Sequence, residues 1–366
     1  MRTGDRNSLT DVAGLLVGHY TELDSDASMG AGAATGCTVV RAPGGATAAV
    51  DVRGGGPGTR ETDLLDPSNT VQQVNAIVLA GGSAYGLAAA DGVMHWLEEH
   101  GEGIAMAPPG PDGAFVVPIV PGAVIFDLPV GAWRTRPTAE FGYRAAESAA
   151  VDFACGTVGA GTGARAGSLK GGIGTASVVI EDGPARGIVV AALMVANPVG
   201  SVYDPRTGVP WGAMADGIEF FGLGTPDGAD VAAARLRSPK GTLLNTTIGV
   251  VATDAKLSAG GCRRMAMAGH DGLGRAIRPA HSPLDGDTIF ALSTGLTESA
   301  TGDEQGDLPV ALGPAFLAEL PRVDAVCAAA AVCVERAIVN AVLAATAVAG
   351  IPSYRDSFPS AFGSRA

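Results

Sequence analysis

An α/β fold is predicted by three features of the sequence. Its 366 residues are 47% apolar, enough to fill the core of one large α/β domain or two ordinary ones. Short β-branched or continuously apolar runs, bounded by Gly, Asp or Pro, recur along the chain as buried strands do. Longer segments with helical patterning and small side chains alternate with them.

In chain order, strands are expected at 46–52 and 76–80, a helix over 83–99 and a second helix over 138–150. Strands follow at 185–196 and 246–253, the second preceded by 224–240 (GTPDGADVAAARLRSPK), which is rich in Gly, Pro, Asp and charge. That composition reads as an exposed connection leading into a buried strand, an arrangement that fits a cut site. A helix over 257–277, a strand at 288–294 and a helix over 323–347 complete the pattern. The last helix carries Asp324 near its start and stops before Gly350-Ile351-Pro352, and its Ala-rich surface suits close packing on a sheet.

A net charge of −13 and a pI near 4.8 argue against a nucleic-acid or anionic-membrane surface, which needs clustered Lys and Arg. Short basic pairs such as Arg263-Arg264 read as solvated helix residues. The five cysteines, Cys37, Cys155, Cys262, Cys327 and Cys333, are widely spaced without a C-x-x-C pair, so they read as idle thiols of a reducing compartment. Residues 1–11 are polar, and unbroken apolar runs elsewhere stop at about ten residues, too short to span a bilayer. A soluble cytoplasmic protein is expected.

The segment from Gly241 through Asn245-Thr246-Thr247 to Asp254 has two local readings. In one, Asn245 bends a turn and two β-branched threonines open a strand. In the other, the chain is cut before Thr246, whose new α-amino group serves as general base for its own hydroxyl. An α-amine has a reference pKa of about 7.7 to 8.0, which suits that role near neutrality.

Ordered matches along nearly the whole chain bear on the choice. They are Val50-Asp51-Val52-Arg53-Gly54-Gly55, the run from Leu79 through Gly81-Gly82-Ser83-Ala84-Tyr85-Gly86 to Leu87, Val117-Pro118-Ile119-Val120 and Val124-Ile125-Phe126-Asp127. Leu169-Lys170-Gly171-Gly172-Ile173-Gly174-Thr175-Ala176-Ser177, Ala196-Asn197-Pro198-Val199-Gly200 and the Asn245-Thr246 junction follow. In these segments the chain resembles the DmpA-type aminopeptidase family, which includes β-peptidyl aminopeptidases and the endo-type nylon-oligomer hydrolase. The resemblance implies a four-layer α-β-β-α sandwich, shared with ornithine acetyltransferases. It also implies self-cleavage into a larger subunit, 1–245, and a smaller one, 246–366, that stay associated as one folded domain. Hydrolysis of linear amides then proceeds without metal or cofactor, by an aminopeptidase or a 6-aminohexanoate oligomer hydrolase. The αβ units are expected to form a homo-oligomer such as a tetramer.

Carried over residue by residue, the resemblance makes Thr246 the nucleophile and Asn245 the residue whose carbonyl is attacked. Asn197 becomes an oxyanion or amine partner, where local pattern alone reads an Asx turn before Pro198. Lys170 becomes a cation that keeps the reactive amine basic, where a solvated lysine is the ordinary reading. Asp285 and Asp287 flank Gly286 before a strand; they orient the nucleophile, or else form a polar turn. Phe126 stands where several relatives have a tyrosine, and with Tyr85 it is assigned to the substrate pocket.

Three further patterns compete. Gly159-Ala160-Gly161-Thr162-Gly163-Ala164 fits G-x-G-x-x-A, but strand-like sequence follows where a dinucleotide fold needs a helix. Ser83 nearly fits a G-x-S-x-G elbow, with His270 or His281 available for a serine α/β-hydrolase triad. Acyl transfer of the ornithine acetyltransferase type shares the N-terminal threonine.

Overall fold

The computed structural model describes residues 1–110, 113–236, 245–297 and 319–363. The first elements are strands β1 (Arg2–Thr3), β2 (Leu16–Leu23), β3 (Ala34–Val52), β4 (Thr59–Arg60) and β5 (Gln73–Ala80), then helix α1 (Ala89–Glu99). An antiparallel pair, β6 (Ile104–Gly110) and β7 (Gly113–Val117), precedes β8 (Gly122–Val124) and helix α2 (Ala139–Glu147). Next come β9 (Arg165–Ala166), β10 (Leu169–Lys170), β11 (Gly172–Val179), β12 (Val189–Ala196) and helix α3 (Gly228–Arg235). The chain closes with β13 (Ile248–Ala255), α4 (Ala259–Ala276), β14 (Thr288–Thr297), α5 (Leu320–Ala344) and α6 (Tyr354–Ser357).

Strand β3 organises the architecture. Its first half pairs with β2 on one side and β5 on the other, with β8 and β4 beyond β5. Between Arg41 and Ala46 its pairing with β5 slips, across Pro43 and the left-handed Gly45 (φ 73°). The second half pairs with β14 and continues a sheet in the order β14-β13-β12-β11-β1. Ten strands form one continuous hydrogen-bonded array, and the irregularity at the middle of β3 divides it into two face-to-face sheets.

Alternation along the strands explains their unbroken apolar character. In β12, Val190, Ala192 and Met194 face a core shared with α4 and α5, while Ala191, Leu193 and Val195 face a core shared with β3 and β5. A third core joins Val39, Ala76 and Val78 of the other sheet to α1 and α2. Both faces of both sheets are covered, so no polar alternation remains. The result is the α-β-β-α order of layers that the sequence led us to expect. Small residues set the spacing: a Cβ on Gly174 of β11 would lie 2.1 Å from the Ala337 carbonyl oxygen of α5.

Several boundaries differ from the expectations. The segment 83–99 begins as a 3-10 turn at Ser83–Ala88 before α1. Part of the connection at 224–240 is helical, because Val231 and Ala234 of α3 find apolar partners; 237–244 lie outside the described residues. Helix α5 is long and apolar enough by length and composition to cross a bilayer, although its unbroken apolar runs are short. Asp324, Glu335 and Arg336 punctuate those runs, and 67% of its most apolar window is buried inside the fold.

Candidate active site

Five segments meet at one end of the larger sheet because of strand order and register. Gly172, at the start of β11, lies opposite Ala196 at the end of β12, and Val195 lies opposite Ile248 at the start of β13. Ile248 lies beside Thr288, which opens the parallel β14, and Thr288 pairs with Val52 at the end of β3. Lys170, Asn197, Asn245-Thr246, Asp285-Gly286-Asp287 and Arg53-Gly54 are thereby neighbours despite their sequence separation. Apart from Arg53 and the glycines, every one of these residues is buried. Buried polar groups need partners, and hydrogen bonds within the network supply many of them.

The Asn245-Thr246 peptide is fixed on both sides. The Thr246 N–H donates to the Asn197 carbonyl at 3.1 Å, and the Gly286 N–H donates to the Asn245 carbonyl at 3.0 Å. The Thr246 hydroxyl donates to that same Asn245 carbonyl oxygen. The Asn245 N–H donates to the Leu284 carbonyl at 3.1 Å.

Both aspartates accept backbone donors. Asp285 Oδ1 takes the Val199 N–H at 3.0 Å, and Asp287 Oδ1 takes the Thr247 N–H at 2.9 Å. Asp287 Oδ2 receives the His281 N–H at 3.1 Å and faces His281 Nδ1 at 2.9 Å. The loop lies close against the end of β3: a Cβ on Gly54 would sit 2.3 Å from the Asp287 nitrogen. Only glycine fits there.

Asn197 engages the junction through its backbone carbonyl. Its side chain is held elsewhere, Oδ1 by the Arg165 N–H at 2.8 Å and Nδ2 on the Phe126 carbonyl at 3.4 Å. Phe126 is thus tied to the site, its ring meeting Trp133 edge-on at 6.1 Å between centroids. Tyr85 stands apart on the 3-10 turn, 57% exposed with the Arg136 guanidinium 3.8 Å over its ring.

Lys170 corrects the ordinary expectation of a solvated lysine. It is fully buried, and its ammonium donates to the Gly161 and Gly171 carbonyls at 2.8 and 2.7 Å. The strand pair formed by β9 and β10 turns it inward. Burial pulls its pKa down to about 7, against the attraction of Asp127. Asp127 is itself pushed up to about 6 by burial, opposed by the Gly82 N–H and the Thr35 hydroxyl.

Two of the competing patterns, the dinucleotide loop and the serine triad, are not assembled. Gly159–Gly161 forms a 3-10 turn followed by the short strand β9, leaving no helix N-terminus for a phosphate. Ser83 has the left-handed φ of an elbow, 53°, but His270 faces the Asp51 carbonyl and His281 faces Asp287. All five cysteines are free thiols, and burial raises the pKa of each. Sequence reasoning missed His281 as the partner of Asp287 and Asp127 as the acid near Lys170. Asp127 ends one of the matched segments, whereas the sequence offers His281 only as a triad candidate for Ser83.

A sequence model of peptidase family S58 matches residues 7–355. The chain belongs to peptidase family S58. Among its S58 relatives is an uncharacterized aminopeptidase of Mycobacterium tuberculosis (strain ATCC 25618 / H37Rv), 60% identical over 362 residues, covering 98% of this chain and 100% of the relative. The 6-aminohexanoate-oligomer endohydrolase of Kocuria sp. (strain KY2) is 32% identical, with 84% of this chain and 81% of the relative covered. A Burkholderia sp. beta-aminopeptidase structure has a TM-score of 0.70 at 24% identity, covering 97% of this chain and 92% of that one. The L-aminopeptidase D-Ala-esterase/amidase from Ochrobactrum anthropi, described as a variant of the Ntn hydrolase fold, gives 0.67 at 24% identity, covering 94% and 87%. At that identity the structural likeness speaks for the fold, while S58 membership makes this protein a hydrolase of peptide or amide bonds.

Proposed function

We propose that this S58 hydrolase cuts itself between Asn245 and Thr246 and then uses Thr246 as an N-terminal nucleophile on linear amides, as an aminopeptidase or a 6-aminohexanoate oligomer hydrolase. The observation that carries the reading is the placement of the Thr246 hydroxyl against the carbonyl of the residue before it. The Gly286 N–H on that carbonyl oxygen is a ready donor to the oxyanion that attack would create.

In maturation, the Thr246 oxygen bonds to the Asn245 carbonyl carbon, its proton passes to the departing Thr246 nitrogen, and the C–N bond breaks. Water then hydrolyses the ester, leaving 1–245 with a new carboxylate and 246–366 with a free amine. The Asn197 carbonyl that holds the Thr246 N–H holds the new amine in place. In turnover that amine takes the Thr246 hydroxyl proton, passes it to the leaving amine of the substrate, and water releases the acid from the acyl-enzyme. Lys170, buried and near neutrality in pKa, disfavours protonation of the amine while it is charged.

A denaturing gel with intact-mass measurement tests the cleavage: the small fragment comprises the last 121 of the 366 residues and begins at Thr246. A single full-length band after prolonged incubation overturns the reading. A panel of aminoacyl p-nitroanilides and 6-aminohexanoate oligomers decides the substrate.

A further inference from the structure

His281 joins the aspartate loop to helix α4. It reaches Asp287 twice, its N–H donating to Oδ2 at 3.1 Å and its ring Nδ1 standing 2.9 Å from the same oxygen. An ionised carboxylate only accepts, so Nδ1 carries a proton whether the ring is charged or neutral. The two contacts help hold the His281 backbone at a left-handed φ of 56°, which residues other than glycine seldom adopt. The ring also meets that of His270, edge to face, at 4.9 Å between centroids.

His270 is buried, and its Nε2 lies 3.0 Å from the Asp51 carbonyl oxygen, which places the proton on Nε2. Its Nδ1 is buried with no hydrogen-bond partner among the described residues, so no acceptor stabilises a second proton. Burial pulls the His270 pKa down to about 4, against the hydrogen bond to the Asp51 carbonyl. A neutral ring therefore lies against His281. The Asp51 carboxylate, 3.7 Å from His270, is matched by Arg53 at 2.8 Å and Arg263 at 3.4 Å, and Arg53 lies 4.0 Å from Asp271.

The charges around Thr246 give this arrangement a use. On one side of its nitrogen Asp287 holds the Thr247 N–H, and on the other Asn245 runs alongside Asp285. Both carboxylates are buried. Poorly screened anions favour the protonated form of a nearby amine, and a protonated amine cannot take the proton of the Thr246 hydroxyl. Lys170 sets one buried cation against these two anions, and it is also drawn to Asp127. A second cation at His281 restores the balance. Its 2.9 Å approach to Asp287 suits a charge-assisted bond, the neutral His270 ring does not repel it, and imidazole is the side chain that takes up a proton in the physiological range.

We propose that His281 acts on Thr246 through Asp287: as the imidazolium paired with that carboxylate, it offsets the negative charge and keeps the Thr246 amine free to serve as base. The assignment rests on Thr246 being the N-terminal nucleophile, since an uncut chain has no such amine.

The amine is read without a substrate, from the pH dependence of its acetylation by acetic anhydride, followed by mass spectrometry of fragment 246–366. Lys256 carries the only other amine of that fragment and serves as internal standard. In His281→Asn, which keeps a donor but not the charge, the midpoint is expected about one pH unit above that of the wild type. His281→Lys restores a cation and should return the midpoint towards the wild-type value. Equal midpoints in the wild type and His281→Asn overturn the proposal, as does a midpoint in His281→Lys as high as in His281→Asn. Variants that melt like the wild type but are not cut also overturn it, because His281 would then serve the cleavage geometry alone. A wild-type chain that stays uncut removes the nucleophile reading and this proposal with it, an outcome distinct from a cut chain whose midpoint does not move.

Discussion

Asp287 holds the backbone of Thr247: its Oδ1 accepts the Thr247 N–H at 2.9 Å, one residue beyond the proposed nucleophile. The other oxygen is occupied by His281 through both backbone and ring. The carboxylate therefore fixes the backbone immediately after Thr246.

Removing that anchor should slow self-cleavage more than it unfolds the protein. A hydrogen bond to a charged group contributes about 1.5–3 kcal/mol, so Asp287→Ala is expected to cut at a rate about 10- to 100-fold lower. His281→Ala should slow cleavage less, and His281→Asn, which keeps a donor near the ring Nδ1 position, should recover most of the rate. Time courses on denaturing gels measure all three, and a wild-type rate in Asp287→Ala would refute the anchoring role.

The nucleophile is tested directly by its own side chain. Thr246→Ala should remain a single uncut chain without amidase activity. Thr246→Ser retains the hydroxyl and should be cut, with slower maturation because the methyl group no longer restricts its rotamer. Cleavage of the Thr246→Ala chain at the same bond would exclude the mechanism.

Lys170 gives a pH dependence whose sign can be worked out. Its folded pKa of about 7 is below the ordinary lysine value of 10.5, so between those limits the unfolded chain binds the extra proton. Stability is then expected to rise with pH above 7, by about 2 kcal/mol between pH 7 and 9. The buried thiols, with pKa values raised above 9.0, act in the opposite sense at higher pH and set the upper limit of the window. Denaturant melts in the uncut Thr246→Ala background should show the rise, and Lys170→Met should abolish it.

Gly54 is a packing test remote in sequence from the junction. A methyl group there would meet the Asp287 nitrogen at 2.3 Å and the Asp285 carbonyl oxygen at 2.4 Å, both backbone atoms that cannot rotate away. Gly54→Ala is expected to destabilise the fold by about 1–3 kcal/mol and to impair cleavage by displacing the aspartate loop. A melt and a gel on the same sample measure both, and normal cleavage would show that the loop tolerates the shift.

Much of this protein was legible in its sequence. Apolar runs located the central strands because both faces of each sheet are covered, and periodicity located the long helices to within a few residues. The ordered segments around Lys170, Asn197 and Asn245-Thr246 named the family and marked the residues now found at one end of the sheet. What sequence could not supply was the partner of each residue. The parallel pairing of β13 with β14 brings Asp285 and Asp287 to Thr246, and the two-sided pairing of β3 brings Gly54 against them. Local pattern reads Lys170 as solvated, because a glycine-rich turn says nothing about burial, while the resemblance makes it a site cation; the surrounding chain buries it. The sequence offers His281 only as a triad candidate for Ser83, because its pairing with Asp287 depends on how the loop folds. Local sequence determined the elements and their end residues, whereas register and long-range packing decided which polar groups face one another, since those contacts join residues separated by tens to hundreds of positions.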